Sequence, residues 1–149
     1  MIDNKQKEKW MFSALSEAKK AEKMDEVPIG AIIVKDNAII GRGFNQMESL
    51  KDSTAHAEVI AITSASNTIG DWRLNKCSLY VTKEPCLMCI GAILNSRIEN
   101  LYYGMPDKEN GYITTKKFIN NSVHLKSIEG SILEFDSKKI IQDFFLNKR

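Results

Sequence analysis

The chain has few cysteines, prolines and histidines, and it has no long apolar segment. Its 149 residues include three cysteines, three prolines and two histidines. An odd number of cysteines argues against a disulfide framework and favours metal binding or redox chemistry. No apolar run approaches the roughly 20 residues of a membrane-spanning helix, and the segment up to Lys9 lacks the apolar core of a secretory signal. We therefore expect a cytoplasmic protein without a membrane partner.

An excess of charge of one sign is also absent. The chain has 21 basic and 19 acidic side chains and a formal net charge of +2. A dedicated nucleic-acid-binding protein usually has a clearly basic face, so this balance permits only a local basic patch. The length predicts a single domain, residues 1–149, and a hydrophobic content of 43% is that of an ordinary globular protein with a buried core.

Helix and strand patterns alternate along the chain. Apolar residues at helical spacing predict a helix over about residues 5–24, and two extended runs at 29–34 and 38–40 predict a hairpin. No clear pattern covers residues 105–125. The remaining pattern predicts a helix over 54–66, a strand over 79–82, a helix over 86–95, a strand over 98–103, and a C-terminal helix with Ile140, Ile141, Phe144 and Phe145 on its apolar face. This order predicts helices packed on a sheet with at least two parallel strands.

Two short segments carry residues that are typical of a metal site. His56-Ala57-Glu58 is followed, after a spacer, by Pro85-Cys86-Leu87-Met88-Cys89. Cys86 and Cys89 are three residues apart, so on a helix they share one face and can bind one ion. His56 and Cys86 fall at the start of predicted helices, where the positive helix end favours a thiolate. At that position Glu58 can also reach an ion in front of the helix.

The ligand set predicts a catalytic metal site rather than a structural one. Zinc bound by one histidine and two cysteines keeps a fourth coordination position open for water, and it lowers the pKa of that water from about 15.7 to about 7. His-x-Glu followed by Pro-Cys-x-x-Cys is the pattern of zinc-dependent nucleobase deaminases. We predict one zinc ion per chain bound by His56, Cys86 and Cys89, with Glu58 as the catalytic proton carrier.

Each part of the pattern has a simpler interpretation when it stands alone. A lone Cys-x-x-Cys is more often a redox pair or half of a zinc knuckle, and a lone histidine is usually a core or surface residue. A redox pair, however, does not require the His-x-Glu segment. A structural zinc would have only Cys77 or His124 as a further ligand. We expect Cys77 to be a packed residue and His124 to lie outside the site.

Beyond the metal pattern, the chain resembles the bacterial tRNA adenosine deaminases, which convert the wobble adenosine to inosine. The resemblance runs from about residue 8 to the end, and its most specific passages are 26–31, 54–58 and 84–89. It implies a three-layer α-β-α, cytidine-deaminase-like fold with a central mixed sheet of about five strands. It also implies a homodimer and, as partner, the anticodon stem-loop of a tRNA.

The resemblance implies roles for residues around the substrate base. Asn45 matches the asparagine that holds the flipped nucleotide, Ile29 and Ala57 match positions at the base pocket, and Asp107 matches an acidic residue beside the target nucleotide. From the local sequence alone, Asn45 could equally be a turn residue.

The resemblance also covers the C-terminus. Phe144, Phe145 and Arg149 match positions that help to engage the RNA stem-loop, although the apolar face of the predicted helix favours core packing of both phenylalanines. Three features depart from the family pattern: Ser53 replaces a usual proline, Lys83 replaces a usual apolar residue, and the loop 108–112 replaces a run of small residues. These departures concern RNA specificity more than catalysis.

The residues leave two alternatives to a tRNA deaminase. A deaminase of a free base or nucleoside, such as guanine, cytosine or cytidine, would share the zinc pattern, and the near-neutral charge slightly favours it. A non-catalytic protein stabilised by zinc would require a dispensable Glu58 and a closed fourth coordination position. The passages that flank the zinc pattern favour action on a base extruded from a single-stranded RNA loop.

Overall fold

A computed structural model of the chain describes residues 2–116 and 123–148, apart from the side chains of residues 115 and 116. In this part of the chain, no helix is both long enough and apolar enough to cross a membrane. The elements are α1 (Asn4–Lys23), β1 (Gly30–Lys35), β2 (Ala38–Phe44), α2 (Met47–Leu50), α3 (Ala57–Ile69), β3 (Ser78–Lys83), α4 (Leu87–Asn95), β4 (Asn100–Met105), α5 (Tyr112–Lys116), β5 (Ser127–Glu129) and α6 (Glu134–Leu146).

The five strands form one mixed sheet in the order β2-β1-β3-β4-β5. Strand β1 is antiparallel to both of its neighbours, β2 and β3. Strands β3, β4 and β5 run parallel to one another. The mixed five-stranded sheet and its parallel neighbours confirm the predicted fold class.

Helices cover both faces of the sheet because strand side chains alternate between two cores. One core lies between the sheet and the helices α3 and α4, and it contains Ala31, Ile33, Leu79, Val81 and Leu101. The other core lies on the side of α1, and its strand residues are the alternate ones, Ile32, Val34, Tyr80 and Tyr102. Helix α6 packs against α1 and β4. The arrangement is the expected three-layer α-β-α sandwich.

Helix α3 begins later than the sequence predicts. The carboxylate of Asp52 accepts hydrogen bonds from the backbone N–H of Thr54, at 2.8 Å, and from its hydroxyl, at 2.7 Å. This Asx-turn holds residues 52–55 out of the helix, so the predicted start at residue 54 is wrong. The helix instead begins at Ala57, with His56 as its N-cap.

Other boundaries also differ from the prediction. Strand β4 covers 100–105 rather than 98–103, because Arg97 adopts a left-handed conformation with φ 63° after α4. Strand β2 extends to Phe44. The short elements α2, α5 and β5 have too few residues to produce a recognisable periodicity, so the pattern did not reveal them.

Gly43 allows α3 to lie directly on strand β2. A Cβ atom at this position would lie 2.6 Å from the backbone nitrogen of Ala61 and still closer to the carbonyl oxygen of Ala57. Backbone atoms of a helix cannot yield as a flexible side chain can. A side chain at residue 43 would therefore displace the first turns of α3, which carry His56 and Glu58.

We expect Gly43→Ala to lower the free energy of unfolding by about 1–3 kcal/mol, as overpacking does elsewhere. Urea unfolding followed by circular dichroism measures the change. Gly91→Ala is the matched control, because Gly91 is in the middle of α4 and a Cβ atom there meets nothing within 4 Å. The control should be as stable as the parent or more stable, by up to about 1 kcal/mol. Equal stability of the two variants would contradict the close contact.

Candidate active site

Three potential metal ligands converge where two helices begin. His56 is the N-cap of α3, Cys86 is the N-cap of α4, and both have extended backbone angles. The Nδ1 atom of His56 lies 3.7 Å from the Cys86 Sγ and 3.4 Å from the Cys89 Sγ. The ligand atoms of all three residues lie within 4.8 Å of one another, and no carboxylate belongs to this group in the described part of the chain. The group can hold a metal ion.

The three residues change one another's pKa values. Hydrogen bonds with Cys89 and His56 lower the pKa of the Cys86 thiol to about 3. The Cys86 thiolate raises the pKa of His56, and the same thiolate, together with burial, raises the pKa of Cys89. A metal cation that binds all three residues therefore competes with protons for their ligand atoms.

Glu58 has the properties of a proton carrier. It lies in the first turn of α3, and only 5% of its surface is exposed. Burial is the main cause that raises the pKa of its carboxyl group. A carboxyl group with a raised pKa can both accept and donate a proton near neutral pH. Glu58 is next to the metal group without belonging to it, as the sequence predicts.

A cavity of about 370 Å³ opens in front of this group. Its volume is within the range of about 300–1,000 Å³ that is usual for small-molecule sites. The cavity brings together seven of the predicted site residues: Ile29, Asn45, His56, Ala57, Glu58, Cys86 and Asp107. Cys89 is fully buried and does not line the cavity.

Asn45 is both a turn residue and a residue of the cavity wall. Its side-chain amide donates a hydrogen bond to the Val27 carbonyl at 3.3 Å, and its side-chain oxygen accepts one from the Met47 N–H at 3.4 Å. Only 6% of its surface is exposed. These bonds fix the side chain at the edge of the cavity. The two interpretations of Asn45 are therefore compatible.

Glu84 is an important residue that the sequence analysis did not single out. Its buried carboxylate accepts hydrogen bonds from the Asp107 N–H at 2.9 Å, from the Thr114 hydroxyl at 2.6 Å and from the Thr114 N–H. It thereby fixes the chain segment that follows β4 against the end of β3. The sequence feature that could have identified Glu84 is its position as a charged residue between an apolar strand and Pro85.

Asp107 is held in the cavity wall by several contacts. Its Oδ1 atom accepts hydrogen bonds from the backbone N–H groups of Glu109, at 3.0 Å, and Asn110, at 3.1 Å. Its Oδ2 atom lies 3.2 Å from the ammonium of Lys83. Lys83 and Asn110 also line the cavity. Two of the three departures from the family pattern, Lys83 and the loop 108–112, thus contribute to the cavity wall.

Phe144 and Phe145, two of the predicted C-terminal site residues, differ in their exposure to solvent. Phe144 is buried beside a second cavity of about 600 Å³, which shares Val27, Asn45 and Met47 with the first cavity. Phe145 is 50% exposed and touches Phe144 edge-on, with ring centroids 5.2 Å apart. The prediction that Phe145 packs in the core is therefore wrong. Adjacent residues of a helix point in different directions, and here only Phe144 faces the protein interior. Arg149 lies outside the described residues.

The two residues that the sequence offers as alternative ligands are not part of the metal group. Cys77 is fully buried in the core below α3 and α4, as expected of a packed residue. His124 also lies outside the group, which among the described residues consists of His56, Cys86 and Cys89.

Comparisons with known proteins agree with this site. The family model of the MafB19-like deaminases matches residues 5–149. A tRNA-specific adenosine deaminase of Buchnera aphidicola subsp. Schizaphis graminum is 46% identical over 142 residues, which cover 94% of each chain. A solved structure from work on A-to-I editing by tRNA:A34 deaminases has a TM-score of 0.82 and 39% identity, and the match covers 89% of this chain and 98% of that one.

A guanine deaminase from Bacillus subtilis is a more distant structural relative. Its TM-score is 0.64 at 28% sequence identity, with 79% of this chain and 98% of that chain covered. The identity to the tRNA-specific enzyme is higher and extends over nearly the full length of both chains. From the fold, the metal group and these similarities, we conclude that the chain belongs to the family of tRNA-specific adenosine deaminases.

Proposed function

We propose that the chain is a single zinc-dependent deaminase domain that converts adenosine to inosine at the wobble position of tRNA. The observation that carries this proposal is the joint position of His56, Cys86 and Cys89 beside the buried Glu58, at a cavity of nucleobase-compatible size. The similarity to tRNA-specific adenosine deaminases supports the choice of substrate.

The three ligands fit a zinc ion. With Zn–S bonds of about 2.3 Å and Zn–N bonds of about 2.0–2.1 Å, a tetrahedral ion separates its nitrogen and sulfur ligands by about 3.6 Å. The distances from His56 Nδ1 to the two sulfur atoms are 3.4 and 3.7 Å. The mixture of one imidazole and two thiolates is also typical of zinc.

The reaction consumes one water molecule and releases ammonia. A zinc ion held by His56, Cys86 and Cys89 would supply a water of lowered pKa. Glu58 would take one proton from the attacking water as the water oxygen forms a bond to C6 of the adenine. Glu58 would then pass this proton to the ring nitrogen N1. It would next take the proton of the new hydroxyl group on C6 and give it to the amino group, which leaves as ammonia when the C6–N bond breaks. Its burial and raised pKa suit both directions of proton transfer.

The cavity wall and the C-terminal helix are assigned to the RNA. Ile29 and Ala57 would contact the extruded base, and Asn45 and Asp107 would contact its nucleotide. Phe144 lies beside the adjoining second cavity, and its position supports a contact with a neighbouring part of the anticodon stem-loop. Phe145 and Arg149 would act further along the same RNA.

The protein is further proposed to be a cytoplasmic homodimer. Its tRNA substrate is available in the cytoplasm, and the thiolates of Cys86 and Cys89 need a reducing compartment to remain free for metal binding. The dimer follows from the family resemblance, and exposed apolar side chains on α4, Leu87 and Met88, are consistent with an interface there.

Deamination of a free base is the alternative that one observation favours. The guanine deaminase of Bacillus subtilis shares the fold.

Purified, zinc-loaded protein should be incubated with an anticodon stem-loop that has adenosine at the wobble position, and separately with free adenosine, cytidine, cytosine and guanine. We expect inosine in the stem-loop alone, measured by mass spectrometry of its digested nucleosides. Turnover of a free compound with the RNA unchanged would replace the proposed substrate and leave the zinc chemistry intact.

Glu58→Gln should reduce kcat on the stem-loop by about 100- to 10,000-fold, the usual contribution of general acid–base catalysis. The zinc content should stay at one ion per chain, because none of the ligands is changed. Glu8→Gln, at an exposed position on α1, is the control and should have parental activity. Substantial turnover by Glu58→Gln would contradict the mechanism.

Cys86→Ala should abolish stoichiometric zinc binding, measured by inductively coupled plasma mass spectrometry. Because the ligands join the N-termini of α3 and α4, this variant should also be less stable than the zinc-loaded parent. Cys77→Ala removes a buried thiol outside the metal group, so it should lose stability but keep its zinc. A Cys86→Ala protein with full zinc content would show that the metal site is elsewhere.

A further inference from the structure

The wall of the active-site cavity has a single cationic side chain among its described residues. Lys83 is the last residue of β3 and lines the cavity together with three carboxylates, those of Glu58, Glu84 and Asp107. Its side chain is 29% exposed, and its ammonium lies 3.2 Å from Asp107 Oδ2. Lys83 is therefore the only Lys or Arg that an anionic substrate group would meet in this part of the wall.

Lys83 is not required to hold Asp107 in place. The backbone N–H groups of Glu109 and Asn110 bind the other oxygen of Asp107, and the Asp107 N–H is bound by Glu84. A lysine ammonium has three N–H donors. The described residues offer it one acceptor, Asp107 Oδ2. Donors thus remain for an anion at the partly exposed end of the side chain.

The acidic side chains of the cavity wall disfavour a polyanionic substrate, and a cation in the wall counters this effect. The net charge of +2 provides no broad positive field, and carboxylates in the wall repel phosphates. A nucleotide whose base occupies the cavity keeps its ribose and its phosphates at the cavity mouth. A cation in the wall near that mouth offsets the repulsion by the carboxylates.

We propose that Lys83 binds a backbone phosphodiester next to the target nucleotide and so favours a polynucleotide over a free nucleoside. This inference rests on the proposed function, because it assumes a nucleic-acid substrate. Lys83 acts on substrate binding through its charge, while the zinc ligands and Glu58 carry out the chemistry. The ion pair with Asp107 holds the ammonium at the cavity wall.

The test compares Lys83→Met, which has a similar length but no charge, with Lys83→Arg. On the unmodified stem-loop, kcat/KM of Lys83→Met should fall about tenfold, the value of one charged hydrogen bond. Lys83→Arg should keep most of the parental activity. The slope of log(kcat/KM) against log[salt] should become shallower by about 0.7 for Lys83→Met, as expected when one contact to a single-stranded phosphate is lost.

Stem-loops with one neutral methylphosphonate, placed on either side of the target nucleotide, separate phosphate binding from a structural role. If Lys83 binds one of these groups, the parent should lose about tenfold on that RNA, and Lys83→Met should lose little more, because the two changes remove the same contact. A Lys83→Met defect of the same size on all RNAs would overturn the proposal, as would an unchanged salt slope.

Lys126→Met is the matched control. Lys126 forms an ion pair with Glu99 at 3.3 Å, near the opposite ends of the strands, and its loss should leave kcat/KM and the salt slope unchanged. The activity of the parent protein also separates a failure of the proposed function from a failure of the inference about Lys83. If it does not deaminate the unmodified stem-loop, the proposed function fails and this inference fails with it. If it does so, but Lys83→Met has parental kinetics, the inference alone is wrong.

Discussion

The convergence of two helix N-termini on one point is the constraint on which the site depends. Helices α3 and α4 pack on the same face of the sheet, and each begins with a potential metal ligand as its N-cap. Neither N-cap side chain makes a capping hydrogen bond, which elsewhere stabilises a helix by about 0.5–2 kcal/mol. The sheet therefore holds in place two helix starts that are weak by themselves.

Two buried carboxylates show how local donors separate a structural role from a chemical one. Burial by itself favours the neutral form of both Glu26 and Glu58, and this contribution acts to raise the pKa of each. In Glu26 the N–H groups of Ser49 and Glu48 outweigh burial, so that its pKa is lowered and it serves as an anion that anchors α2. In Glu58 burial prevails and the pKa is raised. Two chemically identical side chains thus have different functions because of the donors around them.

The grouping of His56, Cys86 and Cys89 was predictable from the sequence, whereas the arrangement of the cavity wall was not. The metal ligands and Glu58 lie in two short segments with characteristic spacing, and alternating strand residues define the layers. The contact of Lys83 with Asp107 joins residues 24 positions apart, and it follows from the register that pairs Lys83 with Met105. The register between two strands leaves no periodic pattern in the sequence. The same is true of the turn at Asp52, after which α3 begins.

The uncapped start of α3 makes the site cooperative. Its N-cap is His56, the proposed metal ligand, and its first turn contains Glu58, the proposed proton carrier. Fraying of that turn would disorder the metal ligand and the acid–base group together, so the two components are present or absent as a unit. A single local unfolding event at the start of α3 would therefore inactivate the site completely rather than leave one of its two parts in place.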